Sequence, residues 1–365
     1  MSVAIVGSGL AGFTAYQTLR RGGLAPDEIA VFGTDDDPAS AWRRQAAAIR
    51  QRHMRSESDG HCLATSFPGL AVRAAWRRRS VKPLAASLLD RYHPSVEDFL
   101  SHVAELRERS GWERSFHQAR VERVRAADGG FALEGHGVFR HVLLAPGHPG
   151  LNVPAELRGD PRVVHSYEPH SYESTVTVVG AGLAAATEWL NALEAGSEIV
   201  SVRRREPLRR PLNVPREYFS ARGLAPFRRL GADERAARLR ALLAPSYPAG
   251  RQFDEPLREA AASGRFRVES AVNGSRQVIC ATGFLRGFRA DPLLAALVDE
   301  HELATADEWI VLDADATVPA LTDETRTLGL AGVPAQWSFP AADTLVGAKY
   351  VAHAFLRRVK ACRTR

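Results

Sequence analysis

The chain has 365 residues, 45% hydrophobic and 25% charged, the balance of a globular protein large enough for two cored domains. Its net charge of +6 sits almost wholly on Arg, and the basic run WRRRSVK (76–82) lacks interleaved aromatics and any nucleic-acid motif, so a solvated surface with some attraction for phosphorylated ligands is expected and nucleic acid is excluded. Three cysteines without a CxxC pair and twelve histidines without an HExxH cluster exclude a redox dithiol and a metal site; without a membrane-length apolar run or basic leader, the expectation is a cytoplasmic protein with no membrane partner.

The first element is VAIVGSGLAG (3–12). Four apolar residues predict a strand, and Gly7, Ser8, Gly9, Leu10, Ala11 and Gly12 spell GxGxxG into a helix that ends at Gly22-Gly23. The first Gly permits a tight turn, the second lets backbone N–H groups approach a pyrophosphate, and the third lets the helix pack on the strand. Taken alone, the stretch also reads as a plain strand-to-helix turn. The next strand, EIAVFG, ends in Gly33, followed by Thr34 and by acids from Asp35 to Asp37. The loop RHMRSESDGHC (52–62) reads either as functional or as polar surface. YHPSVEDFLSHVAEL (92–106) predicts an amphipathic helix, and ARVERVRAADGGFAL (119–133), containing Val121, predicts two short strands about a Gly-Gly turn. HVLLAPGHPGLNVP (141–154) carries Ala145, Pro146 and Gly147.

At residue 176 the opening pattern returns in VTVVGAGLAAATEWLNAL, where Gly180, Gly182, Leu183 and Ala185 spell GxGxxA. The following strand, EIVSV (198–202), runs into RRREPLRR. An acid at this strand end would hydrogen-bond the ribose 2′-OH of NAD, whereas Arg203 and Arg204 suit the 2′-phosphate of NADP, with Arg209 placed for a second clamp. The alternative is a charged surface loop. Residues 230–264 predict amphipathic helices that extend or cover the nicotinamide domain. Two fingerprints about 170 residues apart, each between a strand and a helix, point to a dinucleotide at both turns: FAD at the first and a nicotinamide cofactor at the second.

Nearly end to end, the chain resembles the two-dinucleotide-binding-domain flavoproteins, and within them the flavin-containing monooxygenases and amine N-hydroxylases. HVLLAPGHPG is similar to their ATG segment with Pro146 in place of Thr, and QVICATGF (277–284) carries that segment intact at Ala281, Thr282 and Gly283. LGLAGV (328–333) and ADTLVGAKYVAHAFLRRV look like the family's return strand and final helix. The resemblance implies an α/β fold with two Rossmann-like domains and a small β-meander. Residues 1–172 and 287–365 would form the FAD domain and 173–286 an inserted NADP domain. It further implies FAD and NADPH as cofactors, a small-molecule substrate and O2 as partners, and oxygen transfer to nitrogen or sulfur, with a homodimer left open.

Met54 and Arg55 fall in a stretch similar to the family's Met-containing loop beside the flavin. Trp337, next to Gln336 and just before Asp343, Thr344 and the final helix, joins them as a catalytic candidate, though it reads equally well as core. The departures are specific. Gly33 stands where the family has Glu or Asp for the adenosine ribose, leaving Asp35, Asp36 or Asp37 as a substitute, and of the FxGxxxHxxxW signature only His165 has a counterpart. Lack of a dithiol sets the disulfide reductase branch aside. An NADPH-dependent reductase serving a quinone or protein acceptor, and a non-catalytic dinucleotide sensor, are the alternative functions.

Overall fold

The computed structural model describes residues 2–54, 69–88, 92–210, 214–274 and 276–363. Two five-stranded parallel sheets organise the chain. In the first, the strands run in the order Thr327–Leu330, His141–Leu144, Val3–Val6, Ile29–Gly33, Phe116–Gln118. Its three central strands are apolar on both faces because helices cover both sides. The last helix, Leu345–Arg363, packs against Leu10–Arg21 and buries Val351, Ala352, Phe355 and Val359, spaced as one face of a 3.6-residue period. A three-stranded antiparallel meander, Val124–Ala127, Gly130–Leu133 and Gly137–Phe139, joins Phe116–Gln118 to His141–Leu144.

The second sheet repeats the plan in the order Phe266–Glu269, Glu198–Val202, Thr175–Val179, Gln277–Cys280, Val163–His165. Its edge strand Val163–His165 lies before residue 173, so the sheet begins earlier than the sequence-based boundary. The segment 230–264 also divides differently from expectation. Ala236, Leu239 and Leu242, with Leu224 and Phe227 just before the segment, join the core of the first domain, whereas Tyr247 and Phe253 join that of the second and Leu257 packs against it. Phe219 meets Phe339 edge to face at 6.2 Å, so this excursion from the second domain packs back onto the first. Amphipathicity showed that these helices bury a face; it carried no information on which core receives it.

Candidate functional site

The two glycine turns are built alike. Val3–Val6 ends in Gly7, which has φ +113° and donates its N–H to the Phe32 carbonyl at 2.8 Å. Ala145, ending the adjacent strand, donates to the Val6 carbonyl at 2.7 Å, and its own carbonyl then presses on the Gly7 Cα. A Cβ at Gly7 would overlap that oxygen. Gly9 caps the helix Leu10–Arg21 in extended conformation, and a Cβ there would meet nothing within 4 Å, so the helix N-terminus opens on free space. Leu10 and Ala11 pack on the core, and Gly12 rests against the Gly7 carbonyl. In the second unit Gly180, at φ +138°, donates to Val202 at 3.0 Å and lies against the Ala281 carbonyl. Gly182 caps Leu183–Glu194, and a Cβ added there would meet only the Pro245 Cβ, at 4.0 Å. Leu183 packs on the second core and Ala185 is wholly buried, so this helix accommodates a methyl in the third position. Each turn offers helix N-terminal N–H groups with unobstructed approach, which is the shape a pyrophosphate requires.

The turns part company at the end of the next strand. A Cβ at Gly33 would overlap the Ser8 side chain, whose hydroxyl donates to the Asp35 carbonyl at 2.6 Å. Ser8 therefore fills the space through which an acid at 33 would extend. Asp35, expected as a substitute, is engaged elsewhere. A hydrogen bond from Ser40 is the main influence holding its carboxyl below the usual range, it accepts the Asp37 N–H at 3.1 Å, and Arg44 lies 3.7 Å away. Thr34 is exposed. In the second unit Arg203 folds back against the sheet, 2.8 Å from Glu206 and 5.9 Å from the Trp189 ring centroid. Its Nε is buried without a partner among the described residues, a donor that an added acceptor would satisfy. Arg204 is exposed. Arg209 is committed to an ion pair with Asp254 and stands 3.9 Å over the Tyr247 ring.

The segments leaving the strands His141–Leu144 and Gln277–Cys280 meet at the crossover between domains. Asn152 N–H donates to Gly283 O at 2.9 Å and Leu285 N–H to Gly150 O at 2.8 Å, while the Thr282 hydroxyl donates to the Asn152 carbonyl. His165, wholly buried, contacts the Gly283 carbonyl through Nε2 at 2.9 Å and accepts the Tyr167 N–H at Nδ1, 3.1 Å. This network assigns the ring proton to Nε2, and burial lowers the pKa of the imidazole. On the same crossover His148 stacks on Phe284 at 3.8 Å, and Phe284 on Tyr167 at 4.9 Å. Burial, then Arg286, lowers the His148 pKa to about 4, and its chain neighbours Gly147 and Pro149 line a cleft with Arg286.

Between the strand ends of the first sheet lies that cleft, lined by Gly147, Arg286, Glu308, Trp309 and Gln336. Burial pushes the Glu308 carboxyl up. Desolvation raises the Asp343 pKa against opposing hydrogen bonds from its own backbone N–H and from Gln336. The Thr344 hydroxyl caps the last helix by accepting Gly347 N–H at 3.1 Å. Of the two readings open for Trp337, a catalytic candidate or core, the structure shows the second: it is 1% exposed and sits in the core with the Arg235 guanidinium 4.9 Å over its ring. Met54 is likewise buried, its N–H donating to Pro94 O at 2.8 Å, and Val121 packs in the first core. Arg55 lies outside the described residues. Sequence reasoning missed Glu308, Arg286 and the His148–Phe284–Tyr167 stack. Only the density of His and Tyr in 163–172 hinted at a structured crossover.

Neither a protein-family model nor a curated protein sequence matches the chain. Solved structures do. The ornithine N-hydroxylase of Kutzneria sp. 744, with reduced FAD, NADP⁺ and L-ornithine, is 15% identical, with 98% of this chain and 99% of that one covered at TM-score 0.72. The flavin-containing monooxygenase of Stenotrophomonas maltophilia is 18% identical over 99% of this chain and 98% of that one, at TM-score 0.59. The bacillithiol disulfide reductase of Bacillus cereus is 12% identical over 100% and 99%, at TM-score 0.61. With its two parallel sheets, two glycine turns and paired crossover, the chain has the fold of the two-dinucleotide-binding-domain flavoproteins.

Proposed function

We propose that the protein is an FAD- and NADPH-dependent monooxygenase of the cytoplasm that transfers oxygen to a nitrogen or sulfur atom of a small molecule. The observation that carries this reading is the pair of glycine turns, each closed by the carbonyl of the neighbouring strand end and each open at its helix N-terminus. FAD held at the first turn would supply the redox chemistry, accepting hydride from NADPH and reacting with O2. The chain's own residues bind, orient and shield. Backbone N–H groups after Gly9 and Gly182 receive the two pyrophosphates, and Arg203 and Arg204 receive a 2′-phosphate. Arg286, Glu308 and Gln336 line the cleft in which substrate would be held away from bulk water.

The Kutzneria protein is named for ornithine, so primary amines head the test panel, followed by thioethers. Purified protein should be yellow, bleach on anaerobic NADPH, and on aeration oxidise NADPH in proportion to hydroxylated amine or sulfoxide formed. Folded protein that neither carries nor takes up flavin defeats the reading. NADPH consumption that follows an added quinone and ignores every amine and thioether would favour the reductase.

A further inference from the structure

We propose that the helical pair Gly69–Arg78 and Lys82–Leu88 is a docking surface for anionic membrane lipid, independent of the cofactor reading above. Seven large hydrophobic side chains are exposed among the described residues, and four of them, Val72, Trp76, Val81 and Leu88, are gathered on this pair. Trp76 is 87% exposed and Leu88 79%. Their spacing makes them a surface rather than scattered exceptions. Val72 and Trp76 lie one helical turn apart, and Val81, Ala85 and Leu88 follow at i, i+4 and i+7. The opposite faces are already satisfied, because Leu70, Ala71 and Ala74 pack with Leu84, Ala86 and Tyr92 in a small core of their own. Both helices are thus apolar on two sides, and the described residues pack on only one of them.

Charge decides what fits the other side. Arg73 and Arg77 turn toward the helix Val96–Ser110, where they pair with Glu105 and Asp98. Arg78, Arg79 and Lys82 remain exposed at the turn between the helices with no carboxylate partner among the described residues. A second copy of the chain across a two-fold axis would set these cations against one another. An anionic lipid surface meets both halves of the patch: indole and aliphatic side chains enter the headgroup boundary while the three cations attract the surface charge. Among the described residues no helix is long and apolar enough to cross a membrane, so attachment is peripheral.

The full-length protein should sediment with vesicles of equal parts phosphatidylcholine and phosphatidylglycerol, lose this binding as salt rises, and ignore pure phosphatidylcholine. Trp76→Ser/Leu88→Ser and Arg78→Glu/Arg79→Glu/Lys82→Glu should each weaken binding at least about tenfold. Circular dichroism and NADPH oxidation should stay unchanged. Absence of sedimentation with the anionic vesicles, or binding untouched by either set of substitutions, overturns the proposal. So does a solution dimer that Trp76→Ser/Leu88→Ser dissolves while vesicle binding persists.

Discussion

The two dinucleotide units of this chain share a backbone device and differ in the side chains around it. In both, a parallel strand ends against a neighbouring carbonyl, Ala145 in one and Ala281 in the other, and only glycine tolerates that contact at positive φ. At the C-terminal end of the next strand, Ile29–Gly33 in one unit and Glu198–Val202 in the other, the likeness ends. The first unit has Gly33 under Ser8, with no room for a side chain; the second has Arg203 folded beside Trp189 with a buried Nε that has no partner among the described residues. A phosphate cradle is thus fixed by backbone geometry, which repeats, while recognition of the nucleoside end is left to side chains, which diverge.

The largest expected effect comes from breaking the shared device. Gly7→Ala adds a methyl inside the Ala145 carbonyl and forces an L-residue to φ +113°, which should cost about 3 kcal/mol or more and yield colourless, destabilised protein. Gly180→Ala should leave the flavin bound but abolish its reduction by NADPH. Loss of flavin from Gly180→Ala instead would show that the units are not separable.

Acidity distinguishes the two halves in another way. Burial, then Arg73, lowers the pKa of His102 in the first domain from 6.5 to about 4. As pH falls through 6.5 the unfolded chain takes up this proton first, so stability declines between about 6.5 and about 4, by at most about 3 kcal/mol. At the edge of the second domain His170 behaves oppositely. Burial alone would lower its pKa, but its contacts with Glu188 at 3.1 Å and the Glu168 carbonyl at 2.7 Å outweigh burial and raise it. Its contribution is complete below the unfolded value and fades as pH rises through the folded one. Denaturant titrations across this range should show His102→Gln flattening the acid limb and His170→Gln flattening the alkaline side.

The missing ribose acid offers a sharper test of the divergence. Gly33→Asp alone should destabilise by about 1–3 kcal/mol through overlap with Ser8, whereas Gly33→Asp with Ser8→Gly should recover most of that loss. Additive losses in the double variant would rule out the steric account. In the second unit, Arg203→Ala/Arg204→Ala should raise the KM for NADPH about tenfold and leave that for NADH nearly unchanged. Arg209→Ala should matter least, under about threefold, because Arg209 already serves Asp254 and Tyr247. Steady-state kinetics with each cofactor ranks the three arginines directly.

Much of this architecture was legible before any coordinates. Gly7-x-Gly9-x-x-Gly12 and Gly180-x-Gly182-x-x-Ala185 announced two strand–turn–helix units, because close approach of backbone to phosphate demands small residues at fixed spacing. The strand at Thr327–Leu330 and the helix Leu345–Arg363 were expected only through the likeness of LGLAGV and ADTLVGAKYVAHAFLRRV to the family's return strand and final helix. The site was less so. Nothing in EIAVFG reveals that Ser8, 25 residues earlier, excludes an acid at Gly33; that exclusion exists only once the two strands lie side by side.

The sequence by itself determined the local units: where chain turns on glycine, which helices have a face to bury, and that Arg rather than an acid follows Val202. Tertiary structure alone decided which core receives the helices Ala221–Arg228 and Ala232–Leu242, that Trp337 is walled into that core under Arg235, and that His148, Phe284 and Tyr167 stack at the crossover. The reason is physical. Spacing and propensity act over a few residues, whereas burial is a relation between segments far apart in the chain, and an apolar face carries no mark of the surface it will meet.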